Sequence, residues 1–420
     1  MGAKRMRRKF FYGYVVVGGG FLVWLIGWGT YTPAFSLFFK SFLSEFGWSR
    51  AETSLAYSLS FLAQAGLAIV MGWLTDRLGP RFVVATLGSF IGVCYLLMSQ
   101  VQTLWQFSLN FIVVGSIGVS TLNVPVMVTL SRWFVKRRGM MMGIVQAGSG
   151  IGGLIFPPLA GWLILSSGWR TAYMVLGVIA VAGMVTAGLM LRNDPKDMGL
   201  FPDGESGAAP AGAGAGARRK NGPGLPFGEA IRTSQFWVIA GLYGSFGFCR
   251  STFTAHLPAH IQDIGFSLTD GANILAVVTG ASMFGRAGMG RVADAVGNKP
   301  MFMMSFAVTT VSLILGLIGR DLWVLYLFAL LFGVAWGNQA VLRFALASEV
   351  FGLTSLGVVI GALSVAESVA AMVGSYFAGY VFDIAGSYQI AFWVGIFVSI
   401  AGIALAGMLK PFRKEEMAAV

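Results

Sequence analysis

The sequence predicts an all-α integral membrane protein with twelve transmembrane helices in two pseudo-symmetric six-helix halves. Composition is the first observation behind this. Of 420 residues, 56% are hydrophobic and 11% charged, with a mean hydropathy of +0.76, whereas water-soluble domains carry roughly 25% charged residues. The second is a series of twelve apolar runs, each near the roughly 20 residues needed to cross the hydrocarbon core. The third is an internal repeat in which matching residues stand 218 positions apart.

Taken in order, the runs fall near residues 14–38, 52–74, 82–100, 103–130, 140–166 and 170–191, then 234–262, 268–290, 300–319, 322–347, 355–382 and 386–409. The first follows Lys4, Arg5, Arg7, Arg8 and Lys9 and has no small-residue cleavage site, so it reads as a retained helix and not a signal peptide. Residues 203–228 alternate Ala and Gly and include Pro210, Pro223, Pro226 and a basic cluster, a composition that buries little apolar area. The expected organisation is a first half over residues 1–200, a flexible cytoplasmic linker over 201–230, and a second half over 231–420.

A net charge of +12 would suggest nucleic acid in a soluble protein. Here the basic residues concentrate on one side: Arg77 and Arg81, Arg132, Lys136, Arg137 and Arg138, Arg218, Arg219 and Lys220, Arg291 and Lys299, with Lys410, Arg413 and Lys414 at the end. The opposite loops hold scattered charges such as Lys40, Arg50, Arg170 and Arg320. The asymmetry predicts cytoplasmic termini in an inner (plasma) membrane, with the lipid bilayer as partner and no nucleic acid.

The repeat pairs Gly72, Asp76, Gly79 and Arg81 with Gly290, Asp294, Gly297 and Lys299; Gly139 and Gly143 with Gly357 and Gly361; and Gly168 with Gly386. Parallel six-helix halves around a midplane site are what such a repeat implies in a transporter. The first copy, Gly72-Trp-Leu-Thr-Asp76-Arg77-Leu-Gly79-Pro-Arg81, resembles the signature loop of the major facilitator superfamily, with a weaker second copy ending at Lys299. Asp76, Arg77, Arg81 and Asp294 are assigned to gating and stability, because acids at helix ends can pair with Arg or Lys and cap neighbouring helices. Arg132-Trp133-Phe134-Val135-Lys136-Arg137-Arg138-Gly139, running into Gly143, Ala147 and Gly148, resembles two groups within that superfamily: proton-linked monocarboxylate transporters and oxalate:formate antiporters. The opening of the second half, Arg232 to Trp237, is similar to the antiporter group.

Ionisable residues inside membrane helices cost about 2.5–3.5 kcal/mol each on insertion scales, so each is a functional candidate. Arg286 stands eight residues before Asp294 in the eighth run, about 12 Å along the helix. Its guanidinium fork matches a carboxylate through two parallel hydrogen bonds. The resemblance implies the same role, since both groups bind the substrate carboxylate with an arginine here; the alternative is a structural strut paired with Glu367. Glu367, in the eleventh run, replaces the lysine that the antiporter group uses for a dianion, so the resemblance implies that a doubly charged substrate is disfavoured. An acid near Arg286 is either the proton carrier or the partner of an unseen polar group.

The lysine and aspartate linked to proton coupling in animal monocarboxylate transporters correspond here to Pro33 and Ser282. His256 is a second candidate for proton exchange or substrate contact; otherwise it hydrogen-bonds a carbonyl freed by Pro258. His260 is expected at the outer surface. Around the cation, neutral donors are expected from Asn123, which falls where the antiporters have a substrate-site tyrosine, and Thr32, where they have a glutamine. Ser149 joins them as the repeat mate of Glu367, with Tyr31, Ser282, Asn338 and Gln339 as further candidates; for each, helix-to-helix hydrogen bonding is the alternative. Arg250 reads as a gate or a structural pair.

The glycine runs at 18–20 and 148–153 lack a P-loop Lys-Ser/Thr pair and read as close helix packing. Two His and two Cys, with Cys94 and Cys249 in apolar runs, supply no metal or nucleophile cluster. An enzyme is therefore excluded and no cofactor is expected. The expected function is secondary active transport of small monocarboxylates of the lactate or pyruvate type, in symport with protons, by a monomer working through alternating access. The alternative is an organic anion exchanger of the oxalate:formate antiporter type.

Overall fold

The computed structural model describes residues 11–135, 137–204, 225–352 and 355–409, excluding the side chains at 65, 68, 69, 138, 204 and 287–295. The basic N-terminal stretch, Lys136, linker residues 205–224 and the tail from Lys410 lie outside the described residues, as do the side chains of Arg291 and Asp294.

The first half is built from α1 (Gly13–Ser36), α2 (Phe39–Phe46), α3 (Arg50–Leu78), α4 (Pro80–Val83), α5 (Phe90–Met98), α6 (Leu104–Val113), α7 (Ser120–Trp133) and α8 (Arg138–Met190). Single π-helical segments at Val84–Gly88 and Val114–Val119 join α4 to α5 and α6 to α7 into continuous rods. α8 is two helices joined at Gly168, whose φ of 80° and ψ of 160° break the helical path where the sequence places a boundary between runs. The second half comprises α9 (Phe227–Ala230), α10 (Ser234–Asp263), α11 (Leu268–Val296), α12 (Asn298–Ile318), α13 (Leu322–Phe351), α14 (Leu356–Ala385) and α15 (Gln389–Gly407). Eight helical stretches among the described residues are long and apolar enough to cross a membrane.

The repeat is visible in the backbone. Gly47 and Gly265, Gly79 and Gly297, and Gly168 and Gly386 all have positive φ and stand 218 residues apart, at turns where a side chain would be strained. α3 begins with a capping box between Ser49 and Glu52, and the same box recurs between Ser267 and Asp270 before α11. Each supplies partners for orphan N–H groups at a helix start.

The halves meet along two seams, α3 with α14 and α8 with α11, with α1 touching α10 between them. On the second seam, Thr279 donates to the Gly153 carbonyl at 2.7 Å. At the other, a Cβ on Gly379 would lie 2.7 Å from the Arg50 carbonyl, so glycine is required for the approach. Contact fades toward the end of the bundle that bears the linker. There, a Cβ placed on Gly139, Gly143, Gly357 or Gly361 would meet nothing within 4 Å.

The opposite, distal end is closed by charge. The Arg50 guanidinium makes two bonds to Asp263, at 2.7 and 3.1 Å, and a third to the Tyr388 hydroxyl at 2.6 Å. Lys40 joins Asp263 at 2.6 Å. The Asp383 carboxylate accepts from the backbone N–H groups of Arg50 and Ala51 at 3.0 and 2.7 Å, capping the start of α3 from the other half. Lys40 and Arg50, which look like scattered loop charges in the sequence, are thus cross-half contacts. Arg170 instead pairs with Glu45 inside its own half, at 2.6 Å.

A charge-assisted hydrogen bond of this kind contributes about 1.5–3 kcal/mol. Asp263→Asn should therefore loosen the distal closure roughly tenfold or more. Alkylation of a cysteine introduced by Ser54→Cys, applied from the distal side, reads the change; Cys94 and Cys249 are buried and give little background. Equal labelling with and without the Asp263→Asn substitution would show that the contact does not hold the closure.

Candidate functional site

Between the closed distal end and the open linker end, the seams enclose a cluster of charge. Ser149 on α8 and Glu367 on α14 each stand eleven residues in from the linker-end start of their helix, about 16 Å deep by helical rise. These repeat mates face different partners. Arg286 Nη1 on α11 donates to Ser149 Oγ at 2.7 Å, bridging the halves. Its Nε is buried and has no hydrogen-bond partner among the described residues, and the guanidinium lies 5.9 Å from the Trp336 ring centre.

Glu367 does not pair with Arg286. It forms an ion pair with Arg343 of α13, and its other oxygen lies 3.9 Å from Arg250 of α10. These side chains are 13%, 17% and 16% exposed respectively, so the pairing is largely removed from solvent. Arg343 and Arg250 are also near enough for their charges to oppose that of Arg286. Two guanidinium groups therefore share one carboxylate, with the third, Arg286, close by and bonded to Ser149. The sequence expectation of a single cation beside a single acid is corrected: Glu367 is the counter-ion of two arginines, neither of which the sequence assigns to the site. Counting only the lysine-to-glutamate replacement understates the positive charge here.

The first half contributes aromatic and neutral polar groups to the facing wall. Tyr31 hydrogen-bonds Ser60 at 2.7 Å and packs on Tyr57 with ring centres 5.6 Å apart. Thr32 lies against the Tyr57 hydroxyl, and Arg250 lies 5.4 Å from the Phe61 ring centre across the interface. The indole N–H groups of Trp24 and Trp28, on the same α1 face, are buried and have no hydrogen-bond partner among the described residues. Asn123 is half-buried on α7.

Several expected site residues hydrogen-bond within one half, although Gln339 also lines a small cavity with Arg250 and Trp336. Asn338 donates its amide to Ser305 and Gln339 to Thr309 at 3.1 Å, both on α12, so these amides join helices of one half. Ser282 is 2% exposed and returns its hydroxyl to the Thr279 carbonyl of its own helix at 2.7 Å. His256 belongs to the distal closure. Its Nε2 is 3.0 Å from the Ser375 carbonyl and 3.2 Å from Ser54 Oγ, and its Nδ1 is 3.0 Å from the Tyr388 hydroxyl. A carbonyl only accepts, so Nε2 carries the proton, and Nδ1 accepts from the Tyr388 hydroxyl that itself accepts from Arg50. The carbonyl it bonds is on α14 and not one freed by Pro258. His260, near the distal end of α10, is half-buried and packs against the Tyr388 and Phe392 rings.

At the linker end, Asp76 accepts from Arg132 at 2.8 Å, and Arg132 also bonds Asn193. Arg77 lies over the Trp73 ring at 4.3 Å, and Arg81 is exposed. The Asp76 pair lies within one half and braces α3 against α7.

Comparison with known proteins agrees with this architecture. The chain is 27% identical over 403 residues to monocarboxylate transporter 13 of Rattus norvegicus, covering 96% of this chain and 90% of that protein. Monocarboxylate transporter 4 of Gallus gallus is 26% identical, covering 94% and 82%. The fujikurins efflux protein of Gibberella fujikuroi is 28% identical, covering 86% and 73%. In fold, the chain is similar to a bacterial homolog of the human lysosomal transporter Spinster in an inward-facing and occupied conformation. The TM-score is 0.77 at 13% identity, over 94% of this chain and 96% of that one. These relatives are transporters and not enzymes. The family model described as Major Facilitator Superfamily matches residues 17–294 and 274–419, so with its helical halves and apolar helices the chain is a multi-pass membrane protein belonging to the major facilitator superfamily.

Proposed function

We propose that this protein carries small monocarboxylates of the lactate or pyruvate type together with protons, by alternating access of one site between its two halves. The observation that carries this reading is Arg286, a guanidinium deep between the halves with one neutral partner and a buried N–H to spare. A carboxylate satisfies such a fork with two charge-assisted bonds. Two relatives named monocarboxylate transporters support the same chemistry. The reading has residues 1–200 and 231–420 as the rocking halves, joined by a linker over 201–230 in twelve crossings. It also places the linker end, with Arg77, Arg81, Arg132 and Arg137, on the cytoplasmic side of the inner membrane. Tyr31, Thr32, Asn123 and Ser149 provide the neutral wall, and Glu367 takes the coupling proton. The distal closure and the Asp76–Arg132 brace, with Arg77, Arg81 and Asp294 near the same end, serve gating.

The alternative reading is an organic anion exchanger of the oxalate:formate antiporter type, whose substrate has two carboxylates and is exchanged for another anion. Competition separates the two readings. Unlabelled malonate displacing lactate more strongly than pyruvate does would select the second.

In proteoliposomes, an inward proton gradient with no internal anion should drive accumulation of labelled L-lactate. Uptake that requires an anion preloaded inside would refute symport. Arg286→Ala should lose saturable lactate uptake by about a hundredfold or more, the scale for losing a charge-assisted pair, while Arg286→Lys keeps part of it. Retained saturable uptake in a well-folded Arg286→Ala protein would remove Arg286 from the site.

A further inference from the structure

Glu367 occupies the position that an anionic ligand would take. Two guanidinium groups converge on its carboxylate, Arg343 through a direct ion pair and Arg250 at 3.9 Å. Arg343 keeps a buried Nε without a hydrogen-bond partner among the described residues, as Arg286 does. The facing first half offers Tyr31, Tyr57, Phe61 and Ser149 and no formal charge at these contacts. Paired arginines around a carboxylate form a recognition device, and in this structure the carboxylate they hold is the protein's own.

We propose that Arg250 and Arg343 are substrate-positioning residues whose subsite is filled by Glu367 in the empty protein, and that an incoming substrate carboxylate displaces Glu367 from them. This deepens the monocarboxylate reading and rests on it. The empty cluster has a surplus of two positive charges. Loading a monoanion alone would lower that surplus to one and leave a released, unpaired carboxylate in a poorly solvated chamber, which is costly. A proton from bulk solvent that binds the released Glu367 carboxylate restores the surplus to two. No bond to the substrate forms or breaks; one proton and one anion enter together because the substrate takes over the charge partners of Glu367. The coupling proton is thereby assigned to the acid that the substrate displaces, and His256 to the distal closure.

The test compares full-length variants in proteoliposomes, each first checked for a monodisperse size-exclusion profile. Glu367→Gln removes the internal competitor and the proton acceptor together. Its lactate counterflow should continue with KM lowered about tenfold, while accumulation on a proton gradient is lost. Arg343→Gln should raise the counterflow KM about tenfold or more, and the double variant Arg343→Gln/Glu367→Gln should recover most of that rise, a coupling that independent sites would not show. Proton-driven accumulation retained by Glu367→Gln, or additive effects in the double variant, would overturn the displacement mechanism while leaving carboxylate transport intact. Wild-type protein that transports no monocarboxylate would overturn the functional reading and this inference with it.

Discussion

A guanidinium stays protonated wherever the fold places it, so every arginine inside this bundle must find an acid, a neutral acceptor or a bound anion. Four arginines among the described residues solve this to different degrees. Arg50 is fully answered by Asp263, Tyr388 and the face of Phe382, 3.4 Å from its centre. Arg250 and Arg343 divide Glu367 between them. Among the described residues, Arg286 has only Ser149. Satisfaction is therefore greatest at the distal closure and least at Arg286, whose hydrogen bond to Ser149 spans the seam.

The repeat shows how one ancestral position can serve two ends. Glu45 and Asp263 stand 218 residues apart. Glu45 stays within its half, accepting from Trp169 at 2.7 Å and pairing with Arg170. Asp263 reaches across to Arg50 and Lys40. Ser149 and Glu367 diverge in the opposite sense: the serine bonds across the interface, while the glutamate is held by its own half. Similar backbones have thus been given unlike electrostatic tasks. The second half carries the charges of the central cluster, and the first supplies its aromatic wall.

The helical runs, the glycine turns and the position of Arg286 are legible in the sequence because each depends on local pattern: hydropathy over a helix length, φ at a turn, a charge within an apolar run. Arg343 is not, since it lies four residues from the end of the 322–347 run, where an arginine ordinarily extends toward the interface. Only packing turns it inward to Glu367. The amides of Asn338 and Gln339 meet hydroxyls on α12, and sequence alone does not say which neighbour a helix face meets, although Gln339 does line a cavity beside Arg250. His256 stands out in the sequence but its place in the distal closure does not, because its partners Ser54, Ser375 and Tyr388 come from three separate helical regions.

The location of Arg286 at the seam has a mechanical consequence. If Arg286 bonded a residue of its own half, filling its guanidinium would alter only that half. Its partner Ser149 belongs to the other half, and the same α8 and α11 contact continues through Thr279 and Gly153 toward the distal end. A ligand competing for the Arg286 N–H groups therefore competes with a contact between the halves. Ligand affinity and the relative stability of half-to-half arrangements are then linked, because a ligand shifts a conformational equilibrium only through interactions that differ between the states. The bond between Arg286 and Ser149 is also the contact through which a ligand on Arg286 can be felt across the interface.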